Sequence, residues 1–145
     1  MKENLLISRC FLGVNCKYNG KNNFLEKIEQ IKQKYNLIDV CPESDGGLPT
    51  PRTPSEIFPS KRVISKDGTD VTAEYNKGAN IALEACLRNN CKKALLKESS
   101  PSCGVKYVYD GTFSGTKVSG MGVTTKLLKL NNIEVFSEDE IDLLL

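Results

Sequence analysis

Three cysteines stand just after apolar runs: Cys10 in "LLISRC", Cys41 in "LIDVCPESDGGLPTPR" and Cys103 in "LLKESSPSCG". A fourth, Cys16, follows Cys10 in "FLGVNCKYNG", beside Lys17, whose charge favours a thiolate. The chain contains no histidine. That removes Ser-His and Cys-His nucleophile pairs, the common zinc-hydrolase ligand sets and the usual general base near neutral pH. Chemistry here must run on thiolates, carboxylates, hydroxyls, lysines or backbone groups.

Thiolates without imidazole suit iron-sulfur clusters or closed structural zinc. Zinc on four cysteines generally shows two closely spaced pairs, a pattern this sequence lacks. Widely separated single cysteines, each at the end of its own strand, fit a cluster held in a pocket better. Three ligands on a four-iron cluster leave one iron open to act as a Lewis acid. Cys16 stays open as a fourth ligand, a reactive thiol or a packed one. Cys86 and Cys91, in "CLRNNC", read as small hydrophobes on and just past an apolar helix face.

The elements that must position these residues follow from periodicity. "NLLIS" (4–8) reads as a first, buried strand and "LIDV" (37–40) as a second. Between them Phe24, Leu25, Ile28, Ile31 and Tyr35 recur at helical spacing over 22–36, with Asn22 or Asn23 as N-cap. Residues 41–60 carry five prolines, which predicts a long functional loop rather than helix interior or central strand. "KRVISKDGTDVT" (61–72) predicts a two-strand excursion turning at Asp67-Gly68. A long helix over 72–90 carries Tyr75, Ala79, Ala82, Leu83, Cys86 and Leu87 on one face, and "KKALLK" (92–97) is the third strand. The polar, glycine-rich stretch 105–122 reads as a shaped loop. A short helix (123–131), a fourth strand (133–136) and a closing helix capped by Ser137 complete the chain. Alternating strands and helices imply an α/β fold: a three-layer, Rossmann-like domain, with a mostly parallel sheet covered by helices on both faces. In such sheets ligands bind beyond the carboxyl ends of the strands, where Cys10, Cys41 and Cys103 would converge.

Composition sets the outer bounds. The 145 residues, 39% hydrophobic, suit one core and a single domain spanning 1–145. Twenty basic and eighteen acidic side chains leave a charge of +2 with no basic block, so nucleic-acid polymers are not expected partners. No apolar run approaches the ~20 residues of a membrane span, and "MKENLLISRC" turns polar too soon for a signal peptide. A cytoplasmic protein is expected, in which the six cysteines stay free of disulfides.

Beyond single residues, "ISRCFLGVNCKYNG", "CPESDGGLPTPRTPSEI", "GTDVTAEYNKGA", "LLKESSPSCG", "VYDGTFSG" and "GMGVTTKLL" run in order through nearly the whole chain. Together they resemble the thiouracil desulfidase family, with Asn19 standing where members usually carry aspartate. The resemblance implies a [4Fe-4S] cluster held by Cys10, Cys41 and Cys103, with Cys16 as the substitute ligand. It also implies non-redox removal of sulfur from a thiolated pyrimidine, a small heterocycle such as 2-thiouracil. On that reading Glu43 is the candidate general base and Ser100, fixed by the following Pro101, the hydroxyl that orients it, ahead of Ser99 and Ser102. Asp110 is a candidate for a ring N–H, or else a cap on its own turn. Tyr18 and Phe113 are candidates to stack on the ring. The competing readings are a non-catalytic iron-sulfur or sulfur-binding sensor, and a cluster-free persulfide carrier using Cys16 or Cys103.

Overall fold

In the computed structural model, which describes residues 2–145, four strands form a parallel sheet in the order Tyr35–Val40, Glu3–Ser8, Lys93–Leu96, Glu134–Ser137. The sequence of elements is β1 (Glu3–Ser8), α1 (Ile28–Lys34), β2 (Tyr35–Val40), α2 (Pro42–Asp45), β3 (Ser55–Ile57) and β4 (Val63–Ser65). Then come α3 (Thr72–Arg88), β5 (Lys93–Leu96), β6 (Tyr107–Tyr109), β7 (Lys117–Ser119), α4 (Val123–Leu130) and β8 (Glu134–Ser137). Tight 3-10 turns follow β1 (Arg9–Leu12) and β8 (Glu138–Leu143). No helix among the described residues is long and apolar enough to cross a membrane.

Strand alternation sends side chains to two separate cores. Leu5, Ile7 and Leu95 meet Ile28, Ile31, Ile141 and Leu144 on one face. Leu6, Ala94, Leu96 and Val135 meet Ala82, Cys86 and Leu128 on the other. Helices therefore cover both faces, as the α/β reading expects. The chain leaves β1 through α1 on the first face and leaves β5 through α4 on the second. Since β1 and β5 are neighbours, their carboxyl ends flank the point where the winding reverses, which opens a crevice. Cys10 and Cys103 leave these two strands.

Four sequence expectations need correction. The helix predicted over 22–36 is only α1, and its N-cap is Lys27. The Asn23 side chain is spent on Cys10 Sγ at 3.3 Å, its N–H on the Cys10 carbonyl, and the Leu25 N–H on the Phe11 carbonyl, which docks 23–25 on the turn after β1. Tyr35 opens β2, paired with Glu3, instead of closing the helix. Within 41–60, Pro42 occupies the first position of α2, where its missing N–H costs nothing, and β3 forms downstream. The turn at Asp67-Gly68 is present, with Gly68 at φ 89 and Ile64 bridged antiparallel to Asp70 across it, but the longer pairing of β4 is with β3, also antiparallel. Finally, 105–122 contains a hairpin, β6 against β7. Ser137 caps the closing turn as expected, in a reciprocal capping box with Glu140.

Candidate active site

A cavity of about 540 Å³ opens at the carboxyl ends of the strands, within the range of small-molecule sites. Cys10, Cys16, Cys41 and Cys103 all line it, together with Glu43 and Ser100. Each thiol is buried, and none is in a disulfide.

Local folding explains how the thiols are held. Cys10 sits in the turn after β1 and its sulfur accepts from Asn23 Nδ2. Cys41 precedes α2, and its sulfur lies 3.4 Å from Ser44 Oγ and 3.7 Å from the Cys16 carbonyl. Cys16 lines the cavity beside the two, and its backbone carbonyl is the one 3.7 Å from the Cys41 sulfur. Thiol-thiol coupling pushes Cys16 above the usual thiol range and its two neighbours below it, Cys41 to about 6 against the opposing effect of burial. Burial pushes the Cys103 thiol up, and the charge of Glu43 adds to it. The loop carrying Cys103 is anchored by α4. Thr125 Oγ1 donates to the Cys103 carbonyl at 2.8 Å, the Thr124 N–H donates to the Ser102 carbonyl, and the Ser102 and Thr124 hydroxyls share a 2.8 Å bond.

Glu43 projects from α2 into a charged and hydrogen-bonded setting. Its Oε2 accepts from the Tyr75 hydroxyl at 2.5 Å, and its Oε1 lies 3.5 Å from Arg52 Nη2. The Arg52 side chain, only 6% exposed, also donates to the Cys16 carbonyl at 3.1 Å, which ties the carboxylate to the loop that carries the middle thiol. Gly78 makes this arrangement possible. A Cβ there would lie 1.8 Å from the Pro42 carbonyl oxygen, so only glycine lets α2 rest on α3 and brings Tyr75 within reach of Glu43. Ser100 Oγ accepts the N–H groups of Ser102 and Cys103 at 3.1 and 3.2 Å. With both acceptor positions used, its O–H proton is what it has left to offer a ligand.

Tyr75 and Arg52 were not singled out from sequence. Tyr75 read as one more residue of an apolar stripe, although a buried phenol demands a polar partner. Arg52 lies inside the proline-rich segment 41–60, and a single arginine in a polar loop carries no sequence signal of its burial. Among the other expected residues, Tyr18 lines the mouth of the cavity and Phe113 its wall. Asp110 is not part of the lining. Its Oδ1 accepts from the Thr112 N–H and hydroxyl, so it caps its own turn. Asn19 does likewise for the Lys21 N–H. Cys86 and Cys91 lie buried in the second core, away from the cavity.

The donor set is chemically soft, thiols with no imidazole, which selects zinc or iron-sulfur groups. No three His, Cys, Asp or Glu side chains among the described residues converge as the ligands of a single ion do. Thiols spread around the wall of a roomy cavity suit a polynuclear group that takes each on a different metal atom.

Comparison with known proteins fits this geometry. The profile of the 2-thiouracil desulfurase family matches residues 5–140. YbbK, an uncharacterised protein of Bacillus subtilis strain 168, is 39% identical over 147 positions, covering 95% of this chain and 97% of its own. The solved structure of the [4Fe-4S]-dependent thiouracil desulfidase TudS superimposes with a TM-score of 0.92 at 41% identity, covering 99% of this chain and 95% of that one.

Proposed function

Because the chain belongs to the 2-thiouracil desulfurase family, we propose that it exchanges the sulfur of a thiolated pyrimidine for oxygen from water. Hydrogen sulfide is the second product and no net electrons are transferred. The observation that carries this reading is that thiols from three strand ends share one cavity with a carboxylate fixed by Tyr75 and Arg52. Cys10, Cys41 and Cys103 hold a [4Fe-4S] cluster, the group on which the similar TudS depends. When bound, that cluster supplies an open iron that draws electron density from the thiocarbonyl and makes its carbon electrophilic.

The remaining work falls to side chains of the cavity. Glu43 takes a proton from the attacking water, which is the task left to a carboxylate where histidine is absent. Tyr75 and Arg52 keep its oxygens in one orientation, so little reorganisation is needed as the proton moves. The Ser100 hydroxyl donates to the oxygen that becomes the new carbonyl. Phe113 and Tyr18 offer flat faces to the heterocycle. Both protons of the water depart with the sulfur, and Glu43 carries the first.

The test is direct. Protein reconstituted anaerobically with iron and sulfide is incubated with 2-thiouracil in ¹⁸O-labelled water. Uracil carrying the label and sulfide should appear in equal amounts. Absence of both products, with the cluster demonstrably loaded, would overturn the reading.

A further inference from the structure

The hairpin β6–β7 supplies one wall of the cavity through Tyr109, Phe113, Gly115 and Lys117. Its outer strand is poorly rooted: every residue of β7 is exposed, whereas β6 buries Val108 and bridges Ser99 through it. The tip is nevertheless held in one unusual shape. Gly111 has φ 92 and Phe113 φ 55, a conformation that a bulky side chain adopts only when its surroundings enforce it. The enforcing group lies on another element. Glu56, in the middle of β3 and nine-tenths buried, accepts the Gly111 N–H at 2.9 Å and the Phe113 N–H at 3.2 Å, both on Oε1. Two N–H groups of a left-handed turn thus converge on one buried carboxylate oxygen, an anion nest formed within the chain. The Phe113 ring, guided by this grip, meets Phe58 edge to face at 6.1 Å.

We propose that Glu56 is a positioning residue for the substrate: through the Gly111 and Phe113 amides it fixes the hairpin tip, and with it the aromatic wall against which a flat heterocycle lies. The assignment rests on the desulfuration reading for its substrate. It makes Glu56, which itself lines the cavity with its Oε1 taken by the two amides, a determinant of binding and leaves the chemical step to Glu43.

Glu56→Gln keeps an acceptor oxygen at the same reach. Glu56→Asp keeps the charge but draws the oxygen back by one methylene, and Glu56→Ala removes it. In iron-loaded enzyme with 2-thiouracil, the Asp and Ala variants should raise KM about tenfold with kcat within about twofold, while Gln stays within about threefold of wild type. Iron content and visible spectrum should match wild type in all three. An unchanged KM in both Asp and Ala variants, or a kcat that falls in step with iron content, overturns the assignment. Amide hydrogen exchange at Gly111 and Phe113 needs no turnover and separates this from the functional reading. Lost protection in Ala and Asp but not in Gln supports the grip even if thiouracil proves not to be a substrate, and undiminished protection refutes it.

Discussion

The Tyr75 hydroxyl donates to Glu43 Oε2 across 2.5 Å, joining the first turns of α3 to the single turn of α2 that follows Cys41. Three residues further along α3, Gly78 admits the Pro42 carbonyl into the helix surface. The contact that seats α2 is therefore also the one that aims the carboxylate, and a metal-ligand candidate is its N-cap.

Glu43→Gln should lower kcat for 2-thiouracil by about 10²–10⁴, the usual contribution of a general base, while iron content and visible absorption stay at wild-type values. Tyr75→Phe, which leaves the carboxylate in place but unaimed, should cost about tenfold in kcat with KM unchanged. Steady-state kinetics on reconstituted protein measures both. A Glu43→Gln enzyme at full rate would remove Glu43 from its role as base.

Gly78→Ala places a methyl where the Pro42 oxygen now sits, so α2 and α3 must part. The expected loss is about 1–3 kcal/mol, typical of a forced shift in a packed contact. Urea unfolding gives the stability, and a matching fall in kcat would tie the seat of α2 to turnover.

Alanine at Cys10, Cys41 or Cys103 should each abolish the brown colour and about four bound irons per chain after anaerobic reconstitution. Cys16→Ala should retain both, because Cys16 shares its loop with Cys10, whereas each of the other three thiols follows a strand of its own. Iron retained without Cys103 but lost without Cys16 would exchange their roles.

Acid should weaken the fold partly through Glu98. Burial alone would favour the neutral acid, but the N–H groups of Ser99, Tyr107, Lys106 and Val105 outweigh it and hold this carboxyl below its ordinary range. A depressed folded value means the stabilisation is fully present above the unfolded value, near 4.3. It is lost as pH falls through the folded one. Glu98→Gln should thus be less stable than wild type at neutral pH and show a shallower decline below about pH 4.3. Urea midpoints measured across that window decide it.

The sheet was legible because its strands are short apolar runs and its helices carry stripes, and both patterns are local. The same holds for the cysteines at strand ends and for the Ser137 cap. What sequence could not yield depended on distant partners. The first helix was drawn too long because Asn23 looked like a cap, whereas Cys10 claims it from across the loop. The β6–β7 hairpin shows little alternation, since within its two strands only Val108 is buried and β7 buries nothing. Tyr75 and Glu43 are 32 positions apart, and Glu56 and Phe113 are 57, so neither relationship leaves a trace in spacing. Asp110 illustrates the opposite case, in which the nearest backbone satisfied the side chain first.

The anchoring of the Cys103 loop by α4 bears on the order of events during synthesis. Cys10 and Cys41 follow strands that pair with each other, β1 with β2, and both emerge from the ribosome early. Cys103 gains its fixed place only once Thr124 and Thr125 have been translated and α4 has folded back on it. The proposed three-thiol site is therefore complete only on the nearly finished polypeptide, because the hydrogen bonds that hold the Cys103 loop come from residues close to the end of the chain.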